Sequence, residues 1–309
     1  MRPISARVSR TSVVTSAARG SSIARGNTLG FKSVDARRSR DRGFFEPRFF
    51  ETDAAGIMKQ GSANKRGLSA ALDGTMKDGH DMKTFGLGTA ASLADRARYA
   101  RFTSALHAVY GAMEESLDGS SSPAVQKVWG PLGNALRRRA LLAADLAEVG
   151  ALPSTAAAVP QSAATRAYVE AIKSAAASDN KTGGGRLLGH VYCRYFADMF
   201  GGQMLATPTR HALGLAHVTQ YDFDWSAFNA SADRKEAVET LYETLNHAGD
   251  VMSPEARVDA VGEARLAFSL NVDVYKEDGS LALDAVRGCA NVVGGAVRGL
   301  LSRNGDVLQ

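Results

Sequence analysis

The sequence is poor in the residues that staple, break or anchor a chain. Two cysteines, Cys193 and Cys289, occur in 309 residues, too few for a disulfide framework and in keeping with a reducing compartment. Prolines number only 8, and β-branched runs of the kind that build sheets are scarce. No apolar stretch approaches the roughly 20 residues a membrane-crossing helix needs, and none resembles a secretory h-region. Of the 6 histidines (His80, His107, His190, His211, His217, His247), none pair as His-x-x-x-His. With no Cys-x-x-Cys and no Glu-x-x-His, neither a zinc nor a di-iron site is indicated. A serine-hydrolase elbow, a nucleotide fingerprint, βαβ alternation and internal repeats are missing too.

Acidic residues are absent from Met1 to Val34, a stretch holding six Lys or Arg and seven Ser. That composition reads as an organelle transit peptide, plastid or mitochondrial, against the alternative of an ordinary disordered terminus. Of 37 basic and 32 acidic residues, 14 and 5 fall in residues 1–66, so the remainder holds 23 and 27 and is net −4. The overall +5 belongs to the leader. A mildly acidic body gives phosphates no footprint, which argues against a nucleic-acid partner. The organisation expected is a leader and linker over 1–66, a helical domain over 67–276 and a tail over 277–309.

What is abundant is alanine, at helical spacing. A first helix begins near Leu68, and Thr84 to Ala91 reads as a glycine-rich loop. Helices follow over about Leu93–Leu117, Asn134–Val149 (with Arg137, Arg138 and Arg139 outward) and Ala164–Ala177. Beyond residue 207, Thr207-Pro208 stops or bends a helix, Tyr221–Asn229 is an irregular crossing, and Arg234–His247 is helical. Ser253-Pro254-Glu255 opens another helix, which runs through Tyr275. The Leu281–Leu301 stretch, with Val292, Val293, Val297, Leu300 and Leu301, is an amphipathic helix that docks on the body or lies on a membrane surface, docking being the better fit. The fold class expected is all-α, one helical bundle.

The stretch from Gly189 to Met204 carries the densest pattern. At helical spacing Leu188, Tyr192, Tyr195, Phe196 and Met199 share an apolar face. Asp198 lies beside that face, directly before Gly201-Gly202. Two glycines either end the helix or kink it, and a kink lets a flat ligand approach the main chain.

The run Tyr192, Arg194, Tyr195, Asp198, Gly201, Gly202 and Gln203 resembles the distal-helix motif of the haem oxygenases. Leu68-Ser69-Ala70-Ala71-Leu72, separated from His80 by seven residues, resembles that family's first helix. Leu106–Glu115, with Tyr110, resembles its second core helix, and Glu263–Tyr275, with Phe268 and Asn271, its late helix. Together these cover roughly residues 68–276. The resemblance implies that His80 ligates a haem iron, although alone it reads as an exposed polar residue. It implies haem contacts from Lys77, Tyr192, Gly201, Gly202 and Phe268. Asp198 then holds a water that delivers protons to iron-bound oxygen, within a network of Tyr110, Arg194 and Asn271. The resemblance implies that haem is substrate and cofactor together, opened to biliverdin, carbon monoxide and iron with O2 and electrons from ferredoxin, and with the leader it points to a plastid.

Departures from the family pattern favour a second reading, a haem-binding or interaction module without turnover. Basic residues usual seven and three positions before the ligand are Asp73 and Lys77 here. A later basic pair falls near Glu239 and Glu243, with Arg234 or Lys235 as substitutes. Ala197 stands where many members have glycine.

Overall fold

The computed structural model describes residues 65–75, 79–150, 161–277 and 279–305. The expectations for residues 1–64 and for Lys77 lie outside them. Among the described residues the chain is helical throughout, without strands. Helix α1 spans Gly67–Thr75, α2 Gly79–Ser92, α3 Arg96–Asp118, α4 Pro123–Leu136, α5 Arg139–Glu148 and α6 Ala163–Thr182. The central helix begins as α7, Arg186–Val191, passes through two π-helical turns, Tyr192–Phe196 and Asp198–Gly202, and continues as α8, Gln203–Leu213. Helices α9 (Arg234–Asp250), α10 (Pro254–Lys276) and α11 (Leu281–Gly305) complete the bundle.

Local chemistry explains many of the boundaries. Asp95, Ser122, Ser162, Asp233 and Ser253 each accept a backbone N–H as the N-cap of the helix that follows, relieving donors with no intrahelical partner. Pro123 and Pro254 then occupy the first helical positions, where a missing N–H costs nothing. The core centres on α3 and the π-turn segment, where Tyr110, Tyr195, Met199 and Leu188 are at most 1% exposed. Gly189 brings α7 against α10: a Cβ there would sit 2.6 Å from the Ala260 carbonyl oxygen.

Several sequence expectations are corrected. Thr84–Ala91 is not a loop; it is the body of α2. Gly88 is used in packing, since a Cβ there would overlap the Tyr275 ring, whereas one at Gly86 would meet nothing within 4 Å. Asn134–Val149 is not one helix. The chain breaks at Arg137–Arg138, between α4 and α5, because Glu114 accepts the N–H groups of Arg138 and Arg139 at 2.7 and 2.9 Å. Arg138 does not point outward: it is 3% exposed and lies 3.9 Å over the Phe223 ring. Gly201-Gly202 does not interrupt the central helix, for Gly202 keeps right-handed helical angles and α8 follows directly. Pro208 lies inside α8 without ending it. Helix α11 packs on α2 and α8.

Candidate functional site

The central helix is widened where the motif lies. A π turn adds one residue per turn and is rare enough to mark function or strain. Two in succession turn Arg194 and Asp198 toward the same buried volume, with Tyr110 opposite on α3. Tyr110 donates its hydroxyl proton to Asp198 Oδ2. The Arg194 guanidinium stands 3.6 Å from Asp198 Oδ1 and donates at 3.1 Å to Asn271 Oδ1 on α10. It also lies 5.3 Å over the Tyr110 ring, which packs edge-on to Tyr195 at 5.0 Å. The four residues proposed to act as a network, Tyr110, Arg194, Asp198 and Asn271, thus form one connected cluster from three helices.

Burial sets its electrostatics. Asp198 is 8% exposed, and burial pushes its carboxyl above the ordinary range, against the opposing pull of Arg194, the Tyr110 hydrogen bond and Arg138. Burial raises the Tyr110 hydroxyl well above its usual range, so it remains a donor. Arg194 Nε and Asn271 Nδ2 are buried and have no partner within the protein. Buried groups of this kind ordinarily find one, and these leave donor capacity beside the carboxylate.

A cavity of about 50 Å³ opens at this cluster, lined by Phe85 and Thr89 of α2, by Arg194, Ala197, Asp198, Gly201, Gly202 and Leu205, and by Phe102, Leu106, Tyr221 and Tyr275. The two glycines differ. A methyl group at Gly201 would meet nothing within 4 Å, whereas one at Gly202 would overlap the Tyr221 ring. Gly201 therefore presents bare main chain to open space, and Gly202 is needed for packing.

The other sequence candidates divide. Phe268 is buried and stacks on Phe85 at 6.0 Å, behind the cavity wall. Tyr192 turns away from the cluster and donates at 2.9 Å to Asp73, which also pairs with Lys65 at 3.2 Å. Arg234 donates to the carbonyls of Met199 and Phe200 at 3.0 and 2.8 Å, satisfying acceptors in the second π turn. The backbone of His80 lies in α2, on the helix that forms one cavity wall; its side chain lies outside the described residues. His190 is fully buried and lies 3.1 Å from the Glu263 carboxylate. Sequence reasoning missed Tyr221, Phe102, Thr89 and Tyr275 as lining residues. No sequence signal pointed to them; the tight packing of Gly88 on Tyr275 emerges only in the structure. Among the described residues no cluster of three or more His, Cys, Asp or Glu could hold a metal ion, and no helix is long and apolar enough to cross a membrane.

Comparison with known proteins gives a consistent picture. The family model described as heme oxygenase matches residues 68–277. The chain is 28% identical to heme oxygenase 1 of Bos taurus over 175 residues, 56% of each chain. It is 28% identical to the heme oxygenase of the alga Porphyra purpurea over 189 residues, 59% of this chain and 73% of that one. Among solved structures, heme oxygenase-2 from Synechocystis in complex with heme and NO superposes with a TM-score of 0.58 at 24% identity, covering 77% of this chain and 93% of that one. The chain thus spans about half the length of the mammalian relatives it matches.

Proposed function

The chain belongs to the heme oxygenase family, and we propose that it binds haem and opens the ring oxidatively to biliverdin, carbon monoxide and iron. One observation supports this most directly: a buried carboxylate, Asp198, held by Tyr110 and Arg194 one turn before the bare main chain of Gly201. The lining suits a porphyrin, with aromatic and aliphatic walls, a glycine surface at Gly201 that no side chain covers, and an unpartnered donor on Arg194. A macrocycle needs more room than about 50 Å³, so α2 must part from the central helix to admit it.

In this reading His80, whose backbone lies in α2, would hold the haem iron, and the bare main chain at Gly201 would let the ring approach the central helix. Bound haem with O2 supplies the oxidising chemistry. The protein's part is positional and protic. Arg194 and Tyr110 fix the Asp198 carboxylate and leave it to orient a water toward the glycine surface. The raised affinity of Asp198 for a proton suits a group that passes protons on without giving them up to solvent. Electrons come from ferredoxin or a comparable small donor, and the Met1–Val34 composition directs the protein to a plastid, with the mitochondrion as the alternative.

Asp73 favours a second reading, a haem-binding module without turnover. It bonds Tyr192 at a position where the family usually places a cation for the haem carboxylates. The purified protein decides between them. Mixed with haemin it should give a Soret band that His80→Ala abolishes. Ferredoxin, its reductase and NADPH should then convert that band to biliverdin absorption. A stable Soret band that never yields bilin supports the module instead, and no band in the wild-type protein removes both readings.

A further inference from the structure

We propose that α11 is a brace that sets the spacing of the two helices bounding the Asp198 cavity, with Asn291 as its positioning residue. The consequence for ligand entry rests on the haem reading above; the brace itself does not. The family match ends at residue 277, before α11 begins, so this helix is an addition to the matched core.

Its inner face grips three helices at once. Asn291 donates its amide to the carbonyls of Leu93 and Ala94, at 3.0 and 2.8 Å, just past the end of α2. Gly288 lies so close to the Ala90 carbonyl that an added Cβ would overlap it. Gly295 makes the same close approach to the carbonyl of His211, near the end of α8. Asp284 accepts from Arg98 in the first turn of α3 and pairs with Arg287 at 3.1 Å. Helix α2 carries Phe85 and Thr89 into the cavity wall, and α8 carries Leu205 into the wall opposite. One helix therefore ties both walls together at the same end.

The composition of α11 makes that tie reversible. Gly288, Gly294, Gly295, Gly299 and Gly305 all fall within it, and glycine is among the poorest helix formers. A segment of this kind is helical because it is docked, so docking and helix formation are one equilibrium. When α11 releases, α2 and α8 lose their shared tether together, as a local opening well below global unfolding. Docked, the brace holds the cavity too narrow for a macrocycle; released, it allows the walls to part.

The test uses the full chain with Asn291→Leu, which removes both hydrogen bonds at similar volume, and Gly288→Val, which forces α11 off Ala90. Val286→Thr, on the outer face where Val286 is 67% exposed, is the control. Hydrogen–deuterium exchange on the haem-free protein reads the brace directly. Protection should fall across residues 83–92 and 203–213 as well as in α11, and should be unchanged in the control. Stopped-flow haemin binding and release should both quicken by about threefold to tenfold, the range one or two lost hydrogen bonds produce. Faster exchange confined to α11, with α2 and α8 as protected as before, overturns the proposal. So do unchanged haemin rates in a variant whose α2 and α8 exchange has risen. If Gly288→Val fails to fold, Asn291→Leu carries both measurements. Wild-type protein that takes up no haemin defeats the haem reading, and the exchange pattern then decides the brace.

Discussion

Asp198 is an acid in surroundings that oppose its charge, and that tension makes it testable. Its folded carboxyl titrates above the ordinary range. The stability it contributes is therefore fully present below the ordinary carboxylate range and is lost as pH rises through the raised value. Asp198→Asn removes that loss, so the thermal midpoint of the variant should gain on the wild type as pH rises above the ordinary carboxylate range. The same variant should keep its Soret band and lose turnover by about 100-fold or more, the usual scale for removing a proton-transfer group. Equal turnover in variant and wild type would exclude Asp198 from the chemistry. The glycine pair yields a second contrast. Gly202→Ala should cost about 1–3 kcal/mol in denaturant unfolding, because its methyl overlaps Tyr221. Gly201→Ala should unfold like wild type and bind haemin more weakly, because its methyl meets only the ligand's space.

The break between α4 and α5 shows how an element boundary is set from outside its own sequence. Asn134 to Val149 has helical periodicity, yet the break at Arg137–Arg138 places two backbone N–H groups on Glu114 of α3. Glu114→Ala leaves both without that acceptor, and the expected cost is about 1–3 kcal/mol, read as a lower thermal midpoint. By contrast Ser253→Ala removes a local cap and should cost about 1 kcal/mol. The π turns belong with the first case. Nothing in Tyr192–Gly202 alone demands a widened helix, whereas Arg234 on α9 supports one by bonding the Met199 and Phe200 carbonyls.

At the scale of the whole molecule, the site is assembled but narrow. A cavity of about 50 Å³ between α2 and the central helix has room for a diatomic molecule or a water or two. Haemin binding should therefore be limited by opening of the protein. Its observed association rate should level off as haemin concentration rises, as expected when the competent form is a minor population. A rate that climbs linearly to the fastest measurable values would show that the slot is open beforehand.

Much was legible from the chain alone: the helical class, the N-cap at Ser253 and the proline after it; the family resemblance added Tyr110, Arg194, Asp198 and Asn271, which the structure brings into contact. Their legibility has a physical basis. Apolar periodicity, capping and motif spacing are short-range properties that survive without knowledge of neighbours. Tertiary contact decided what spacing does not encode: that Gly88 lies in a helix, that Arg138 turns inward, and that Gly202 continues the central helix without breaking it. Each of these depends on a partner far away in sequence, namely Tyr275, Phe223 and Tyr221. Packing against such partners outweighs the roughly 1 kcal/mol by which glycine disfavours a helix.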